Sequence, residues 1–395
     1  MRILSVFGTR PEAIKMGPLV GALAKAPGIE SVVATTGQHR AMLDQVLGLF
    51  QITPDHDLDV MVGNQTLNGL CARLFERLDE LYARVEPDLV LVHGDTTTAM
   101  SAAMAAFHRR IRIGHVEAGL RTGNLQQPWP EELNRRVVDL VSDHLFAPTP
   151  EAARNLAGER PSGQLIVTGN TVIDALKQTV ERIERDAGLR GAIDAGLPLR
   201  EGRRLLLVTG HRRESFGNGF AEICAALAAL AREPGLDIIY PVHLNPNVQG
   251  PVHAQLAGLE NVHLLPPQDY LSFVRLMQLA DVVLTDSGGV QEEAPALGRP
   301  VLVMRDVTER PEAVAAGAVT LVGTSATRII DGVRQALAAP AKPAMFNPLA
   351  SPYGDGNASD RIVAALLGAS YSEFMPQLSL RAARANAPHL IEHAE

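Results

Sequence analysis

Cysteine is scarce in this chain of 395 residues, which contains only Cys71 and Cys224. The two lie far apart in sequence without paired spacing, which argues against a disulfide framework and a cysteine metal site and fits a reducing compartment. Long apolar runs are also missing, because no stretch approaches the roughly 18 continuous apolar residues of a membrane span. We therefore expect no membrane-spanning segment.

An excess of positive charge is absent as well. The formal net charge of -8 argues against a broad surface for nucleic acid or anionic membranes, and any phosphate site must be a local basic pocket. The residues from Met1 to Phe7 lack the basic stretch, long apolar core and cleavage site of a secretory signal. We expect a soluble, cytoplasmic protein, and its length predicts two domains of ordinary size.

Several catalytic motifs do not occur in the chain. There is no complete G-x-G-x-x-G, no G-x-x-x-x-G-K-[ST], no H-E-x-x-H and no G-x-S-x-G. Tight binding of NAD through that fingerprint, P-loop nucleotide hydrolysis, zinc-protease activity and serine-hydrolase activity are therefore not predicted.

Short apolar runs rich in Val, Ile and Leu alternate with helix-like segments along most of the chain. The runs in the first half are 3–7, 31–35, 89–93, 111–116 and 165–168. After an amphipathic segment from Thr171 to about Arg190, the runs continue at 205–209, 238–242, 262–265, 282–285, 301–304 and 319–322. The pattern is typical of buried parallel strands with crossover helices. It predicts two doubly wound α/β domains.

Residues that directly follow these runs are the best functional candidates, because open α/β sheets bind ligands beyond the carboxyl ends of their strands. Arg10 and Lys15 at the start of a helix suit a phosphate or diphosphate. An Arg10–Glu12 pair with Lys15 in solvent is an equally good interpretation. Asp95 and Glu117 follow two neighbouring runs and are candidate acid and base groups. A helix N-cap is the alternative for Asp95.

Two further segments carry polar residues whose role the local pattern leaves open. Glu131 and Glu132 begin a helix, where the helix dipole alone favours acids, so this pair by itself is interpreted as structural. His211 stands among arginines after the run 205–209. It suits either contact with an anion or proton transfer, and an ordinary polar loop is the alternative.

The strongest phosphate signal directly follows the run 282–285. Ser287, Gly288 and Gly289 predict a helix start whose free N–H groups face a diphosphate. Glu293 lies about one turn further along, where its carboxylate can accept hydrogen bonds from ribose hydroxyls.

These segments are parts of longer motifs that run in order over roughly residues 1–365. The motifs are FGTRPEAIKMGPL from Phe7, TGQH from Thr36, VHGDTTT from Val92, HVEAGLRTG from His115, PWPEELNRR from Pro128, TGNTVIDAL from Thr168, TGHRRESFG from Thr209, YPVHLNPNV from Tyr240, DSGGVQEEAPALGRPVLVMRD from Asp286, TERPE from Thr308 and PYGDG from Pro352. Together they resemble the bacterial non-hydrolysing UDP-N-acetylglucosamine 2-epimerases.

The resemblance implies a GT-B-like fold, in which two Rossmann-like doubly wound domains face each other across a cleft. The first domain is expected at residues 1–170 and the second, UDP-binding domain at 171–356. A C-terminal helix at about 357–375 is expected to pack back on the first domain, followed by a tail at 376–395. The resemblance also implies a homodimer that requires no redox cofactor, and the sequence suggests no metal site, no nucleic-acid partner and no membrane partner.

The implied reaction is the reversible conversion of UDP-N-acetylglucosamine to UDP-N-acetylmannosamine, which supplies mannosamine units for surface polysaccharide. C2 loses its proton and UDP leaves C1, giving 2-acetamidoglucal and UDP, and re-addition returns the proton on the other face. The resemblance assigns acid/base work to Asp95, Glu117 and Glu131, and places His211 beside the departing diphosphate. The groups expected to bind the nucleotide are Arg10, Lys15, Ser287, Gly288, Gly289 and Arg310 on the diphosphate, Glu293 on the ribose, and Gln268 and Phe273 near the uracil.

Bacterial members of this family also bind a second UDP-N-acetylglucosamine beside the active site as an activator. The matching positions in this sequence are Gln38, His39, Gln65, Arg212 and His243.

Four other functions remain as alternatives. They are a GT-B glycosyltransferase, a hydrolysing epimerase that releases free N-acetylmannosamine, an epimerase for a modified sugar such as a diacetamido uronic acid, and a non-catalytic sugar-nucleotide sensor. The segments around Asp95, Glu117 and Glu131 count against the transferase and the sensor.

Overall fold

The computed structural model describes residues 1–37, 40–63, 65–308, 310–340, 345–347 and 351–376, which form two parallel β-sheets flanked by helices. The strands of the first sheet are β1 (Arg2–Phe7), β2 (Glu30–Thr35), β3 (His56–Asp57), β4 (Leu89–His93), β5 (Arg112–Val116), β6 (His144–Ala147) and β7 (Gln164–Val167). Its helices are α1 (Arg10–Lys25), α2 (Arg40–Leu49), α3 (Leu67–Val85), α4 (Thr97–His108), α5 (Glu131–Val141) and α6 (Pro150–Glu159).

Two helices, α7 (Thr171–Arg185) and α8 (Ala187–Ala195), lead to the second sheet. Its strands are β8 (Arg204–Thr209), β9 (Leu236–Pro241), β10 (Val262–Leu265), β11 (Val282–Thr285), β12 (Val301–Val303) and β13 (Val319–Leu321). The helices that follow are α9 (Asn218–Leu230), α10 (Pro246–Leu256), α11 (Tyr270–Leu279), α12 (Gly288–Ala296), α13 (Pro311–Ala315), α14 (Ala326–Ala338) and α15 (Ala358–Leu366). Every one of these helices is too short or too polar to span a bilayer, a finding limited to the described ranges.

Both sheets are doubly wound, as predicted. The first has the strand order β3-β2-β1-β4-β5-β6-β7 and the second β10-β9-β8-β11-β12-β13, and all pairings are parallel. Alternate residues of the central strands point to opposite faces of each sheet. In β1, Leu4 and Val6 enter one apolar core while Ile3 and Phe7 enter another. The continuous apolar runs therefore reflect burial on both faces.

Three details differ from the sequence prediction. The strand β6 was not predicted, because its apolar run is only three residues long. The edge strand β3 was not predicted either; its residues His56 and Asp57 pair with Ala34 and Thr35 of β2. The helix α15 ends at Leu366, well before the expected end near residue 375, because the chain turns at Gly368 with a φ of +66°.

The chain passes between the two sheets twice, and the two passages are joined. The backbone N–H of Asn170, just before α7, donates to the carbonyl of Tyr353 at 2.7 Å. The buried carboxylate of Asp174 in α7 accepts from the N–H groups of Ala358 (3.1 Å) and Ser359 (2.7 Å) at the start of α15. α15 packs on α1 and α7, so the C-terminal helix lies against the first sheet's helices.

Gly8, between β1 and α1, is needed because two buried threonines approach it closely. A Cβ at this position would lie 2.0 Å from Oγ1 of Thr36 and 3.1 Å from Oγ1 of Thr98. We expect Gly8→Ala to lower the free energy of unfolding by about 1–3 kcal/mol, measured by denaturant titration. Gly21→Ala is the control, since no atom other than those of the neighbouring residues and the backbone of α1 itself lies within 4 Å of its Cβ position. Equal stability of the two variants would contradict this prediction.

Candidate active site

Loops at the carboxyl ends of the two sheets contact each other. The strand order reverses between β1 and β4 in the first sheet and between β8 and β11 in the second, and such switch points are where α/β sheets bind ligands. Nη2 of Arg10, at the start of α1, donates to the carbonyl of Gln268 at 2.9 Å, so the loop after β1 touches the loop before α11. Arg10 and Gln268, both predicted to bind the nucleotide, therefore meet where the two domains touch.

A buried cluster of charges joins the two domains. Nζ of Lys15 in α1 pairs with Oε1 of Glu117, which follows β5, and lies 3.7 Å from Oε2 of Glu292 in α12. Nε of Arg310 donates to Oε1 of Glu292 at 2.5 Å. Asn170 donates through Nδ2 to Glu117 Oε1 at 2.8 Å and reaches Glu292 Oε2 at 3.4 Å. Two cations therefore face two carboxylates across the domain interface.

The alternative interpretation of Arg10 and Lys15 is wrong. Lys15 is not in solvent, because only 12% of its side chain is exposed. Glu12 does not pair with Arg10: its carboxylate accepts from the N–H groups of Gly8 and Thr9 and from the Thr96 hydroxyl, at 3.0, 2.8 and 2.7 Å. Glu12 thus forms a capping box at the start of α1.

The cluster keeps Glu117 ionised. Burial alone raises the pKa of Glu117, but its charged neighbours, Lys15 foremost, outweigh it and hold that pKa well below its usual range. Burial lowers the pKa of Lys15, but Glu117 and Glu292 reverse that effect and raise it. Burial lowers the pKa of His93 to about 3, so the ring is neutral above that pH. The cluster near neutral pH therefore contains a carboxylate and an ammonium group in contact.

Glu117 has a strained backbone. Its φ is +69°, in the left-handed region that residues with a side chain rarely adopt, at a cost of about 1–3 kcal/mol. The N–H groups of Glu117 and Ala118 both donate to the carbonyl of Phe146 at 3.1 Å, which fixes this conformation. Strain that surrounding bonds maintain is concentrated at functional sites in proteins, and here it directs a carboxylate to Lys15.

A buried histidine supports the loops that carry Asp95 and Glu117. His115 approaches Asp139 Oδ1 through Nδ1 at 2.6 Å and donates through Nε2 to the carbonyl of Gly94 at 2.8 Å. Arg121 pairs with the other oxygen of Asp139 at 2.8 Å. The buried side chain of His115 is therefore part of the support for these loops and does not face the cleft.

Asp95 is not a helix N-cap. Thr96 caps α4 instead, because its hydroxyl accepts from the N–H of Ala99 at 3.0 Å. The carboxylate of Asp95 pairs with Arg135 in α5, and Asn134 Nδ2 donates to the Asp95 carbonyl at 2.9 Å. The Asp95 side chain is 29% exposed, which leaves it accessible to a ligand.

Glu131 and Glu132 have different surroundings at the start of α5. Glu132 is fully buried and accepts from the N–H groups of Thr122 and Gly123, at 3.1 and 3.2 Å, so it holds the preceding loop. Glu131 is partly exposed, and its carboxylate has no hydrogen-bond or ion-pair partner among the described residues. It lies one turn before Asn134 and Arg135, on the helix face that contacts Asp95. The structural interpretation therefore fits Glu132, and Glu131 is the accessible acid.

The start of α12 is an anion-binding arrangement. Ser287 is its N-cap residue and makes no side-chain cap bond, so the first N–H groups of the helix are not covered by that hydroxyl. A Cβ built on Gly288 would lie 3.8 Å from Nη2 of Arg212 and 3.9 Å from Nη2 of Arg310. The helix dipole and two guanidinium groups thus concentrate positive potential beside Gly288 and Gly289.

His211 is held beside this positive region by Asp286. The buried Oδ2 of Asp286 accepts from the N–H groups of His211 and Arg212 at 2.7 and 2.8 Å, and its Oδ1 lies 3.4 Å from His211 Nδ1. The His211 ring stacks on His243 with centroids 5.3 Å apart. Burial, together with His243 and Arg212, lowers the pKa of His211 despite the nearby Asp286.

The predicted nucleoside groups lie in the second domain. Glu293 is buried, and the hydroxyl of Tyr270 donates to its Oε1 at 2.5 Å. Burial and the neighbouring Glu292 raise the pKa of Glu293 to about 7. Gln268 is partly exposed in the loop that Arg10 contacts, and Phe273 packs on the apolar core of this domain.

The structure brings together only some of the residues predicted for the second ligand. Arg212 and His243 both lie beside His211, as described above. Gln65 contacts Met61 and Arg73 of its own domain. Gln38 and His39 lie outside the described residues.

Comparison with known proteins decides the family. The family model described as UDP-N-acetylglucosamine 2-epimerase matches residues 21–367. The UDP-N-acetylglucosamine 2-epimerase of Yersinia pestis is 53% identical over 369 residues, covering 93% of this chain and 98% of that protein. The chain belongs to the UDP-N-acetylglucosamine 2-epimerase family.

Solved structures agree with this membership. The UDP-GlcNAc 2-epimerase of Neisseria meningitidis, crystallised bound to UDP-GlcNAc, matches with a TM-score of 0.86 and 47% identity over 93% of this chain and all of that chain. The spinosyn rhamnosyltransferase SpnG, 17% identical with a TM-score of 0.52 over 98% of this chain and 100% of that chain, shares the fold alone. The predicted pair of Rossmann-like domains with a GT-B-like arrangement is confirmed.

Sequence reasoning missed several residues of this candidate site. Asn170 follows β7, so the strand-end rule applies to it, and Asp286 likewise directly follows β11. Glu292 stands next to the predicted Glu293, and Arg135 one turn after Glu131. Only the folded chain shows that their side chains reach the predicted groups.

Proposed function

We propose that this chain catalyses the reversible C2 epimerisation of UDP-N-acetylglucosamine to UDP-N-acetylmannosamine without hydrolysis. The observation that carries the proposal is the ionised, strained Glu117, which faces Lys15 next to the positive region at the start of α12. That combination offers a base for carbon acid chemistry beside a site for a diphosphate leaving group. Membership of the 2-epimerase family supports the choice of substrate.

In the proposed reaction a carboxylate removes the proton from C2. The electrons of the C2–H bond form the C1=C2 double bond, and the C1–O bond breaks with its electron pair leaving on UDP. Return of a proton to the opposite face of C2, with re-addition of UDP to C1, completes the inversion. Glu117, Asp95 and Glu131 stand on separate segments and are proposed to supply the groups needed on both faces of C2.

The positive groups of the cleft are proposed to bind the diphosphate. They are Arg10, Lys15 and Arg310 together with the N–H groups of Ser287, Gly288 and Gly289. His211, held by Asp286, is proposed to stabilise the charge that develops on the departing diphosphate. Glu293 is proposed to bind the ribose, with Gln268 and Phe273 beside the uracil.

Solvent exchange at C2 tests this function. We expect incubation of the protein with UDP-N-acetylglucosamine in deuterated water to place deuterium at C2 of both UDP-sugars, because the proton passes through a protein group before it returns. Proton NMR and mass spectrometry measure the exchange, with a sample lacking protein as control. An absence of deuterium at C2 would contradict the epimerase proposal.

Product analysis of such incubations, with other substrates or an acceptor added, separates the alternative functions. Free N-acetylmannosamine as the main product indicates a hydrolysing enzyme, and faster turnover of a UDP-diacetamido uronic acid indicates a modified substrate. A new glycoside that forms only with an acceptor, without exchange at C2, indicates a glycosyltransferase. Binding of the UDP-sugar without any turnover indicates a sensor.

Four finer features belong to the same proposal. A second UDP-N-acetylglucosamine is proposed to act as an activator beside Arg212 and His243, which adjoin His211. A homodimer is supported by apolar side chains on adjacent helices, since Leu133 and Leu140 of α5 are 49% and 72% exposed and Phe107 of α4 is 54% exposed. The low cysteine content supports a cytoplasmic enzyme, and the product suits the supply of surface polysaccharide.

A further inference from the structure

Asn170 lies where the chain leaves the first sheet for the second. It follows Gly169, whose φ is +86°, and it is 3% exposed. Its Oδ1 accepts from the N–H of Val172 at 3.0 Å and caps α7. Its backbone N–H donates to the carbonyl of Tyr353, in the segment that returns from the second sheet. The position of this side chain is therefore fixed by both passages between the domains.

The amide nitrogen of Asn170 faces carboxylates from both domains. Nδ2 lies 2.8 Å from Glu117 Oε1 in the first domain and 3.4 Å from Glu292 Oε2 in the second. Both carboxylates are almost fully buried, with 8% and 1% of their side chains exposed. A buried carboxylate without a donor is costly, so an amide in this place determines which orientation each carboxylate adopts.

We propose that Asn170 is a positioning residue for epimerisation, which aligns Glu117 for proton transfer and couples that alignment to the approach of Glu292 in the second domain. The role rests on the proposed function.

The neutral amide of Asn170 has a role that Lys15 does not share. Lys15 and Arg310 are the cations proposed to bind the diphosphate, and their contacts with Glu117 and Glu292 weaken as they turn to a ligand. Asn170 carries no net charge and has no such attraction to the diphosphate, so its hydrogen bond continues to direct Glu117. His93 is neutral above about pH 3 and adds no positive charge near Glu117 in the working range.

Two substitutions separate positioning from capping. Asn170→Ser retains an oxygen that can cap α7 but removes the amide donor. Asn170→Asp retains the cap and the shape but places a third carboxylate against Glu117 and Glu292. The matched control is Asn261→Ser, which removes a buried amide that donates to the carbonyl of Leu236 at 2.7 Å, in the loop before β10.

We expect Asn170→Ser to lower kcat about 10- to 100-fold, with KM for UDP-N-acetylglucosamine and Kd for UDP changed less than about 3-fold. For Asn170→Asp we expect the acid limb of the kcat profile to move upward, because the added negative charge opposes ionisation of Glu117. The charged and titratable groups facing Glu117 are Lys15 from α1, His93 from β4, Glu292 from α12 and Arg310 from the loop before α13. Asn261→Ser is expected to retain the wild-type kcat and acid limb.

The outcomes distinguish this role from the proposed function. Wild-type protein that places no deuterium at C2 contradicts both. Wild-type exchange together with an unchanged kcat in Asn170→Ser and an unchanged acid limb in Asn170→Asp contradicts the role of Asn170 alone. A loss of kcat that Asn261→Ser reproduces, with an equal fall in thermal stability, shows a structural role and also contradicts the proposal.

Discussion

Replacing Glu117 with glutamine is expected to lower kcat for UDP-N-acetylglucosamine about 10²- to 10⁴-fold. The substitution conserves the shape of the side chain, and an amide oxygen can still accept the hydrogen bond from Asn170. The amide cannot take up a proton from C2, however, and it no longer attracts Lys15. We expect the Kd for UDP to stay within a few-fold of the wild-type value, because Lys15 retains Glu292 as a partner. Steady-state kinetics and titration calorimetry measure the two quantities.

The control for this variant is Glu233→Gln. Glu233 pairs with Arg334 at 2.6 Å just before β9, at the opposite end of the second sheet from the cleft. Surface ion pairs of this kind contribute little, so kcat and stability should remain at the wild-type values. Wild-type turnover in Glu117→Gln would remove Glu117 from the proposed acid/base groups. A parallel loss of UDP affinity and kcat would assign it to ligand binding instead.

The fold was largely predictable because burial on both faces leaves a direct signature in the chain. The strands at the centre of each sheet are continuous apolar runs, and their order in sequence with intervening helices specifies parallel winding. The exceptions are the edge strand β3, which has two residues, and the inner strand β6, in which only three of four residues are apolar. Neither has a continuous apolar run of four residues, and tertiary contacts with neighbouring strands stabilise both.

Residues of the candidate site were predictable only where they follow the end of a predicted strand. Asp95 follows β4 after Gly94, and Glu117 directly follows β5. Burying polar side chains at those places costs free energy unless they have partners or a function. The contacts that define their state come from elsewhere: Glu292 is 175 residues after Glu117 in the sequence. Nothing local in the motif of Glu292 shows that it reaches Lys15, because that contact depends on how the two domains dock.

Hydrogen bonds to the backbone account for acids whose role the local pattern left open. Glu12 and Glu132 occur beside predicted functional residues in the motifs, and both are buried: Glu12 belongs to the capping box of α1, and Glu132 accepts from N–H groups of the loop before α5. Asp95 was open to the same interpretation, but Thr96 is the cap of α4. Sequence alone does not rank two adjacent polar residues as caps, because the choice depends on the φ and ψ angles at the end of the preceding strand.

Replacing Lys15 with methionine is expected to destabilise the protein and to abolish most turnover. Methionine has a similar length but no charge, so Glu117 and Glu292 would lose the ammonium group that neutralises them. Removing one partner of a buried ion pair costs about 3–5 kcal/mol, because a buried charge is left uncompensated. Denaturant titration measures this loss, and Lys25→Met is the matched control. Lys25 is exposed in the last turn of the same helix, where such changes stay within about 0.5 kcal/mol.

The difference in stability between the wild type and Lys15→Met is expected to change with pH in a definite direction. In the wild type the pKa of Glu117 lies below its ordinary value of 4.5, so its stabilising contribution is complete above that pH and is lost only as the pH falls further. Without Lys15, burial is the largest single influence left, and we expect it to raise the pKa of Glu117 above the value in the unfolded chain. Stability of the variant is then lost as the pH rises through that raised pKa. The stability difference between the two proteins should therefore grow from about pH 5 to about pH 8. A difference that stays constant or shrinks over this range would show that Lys15 does not neutralise Glu117 in the folded protein.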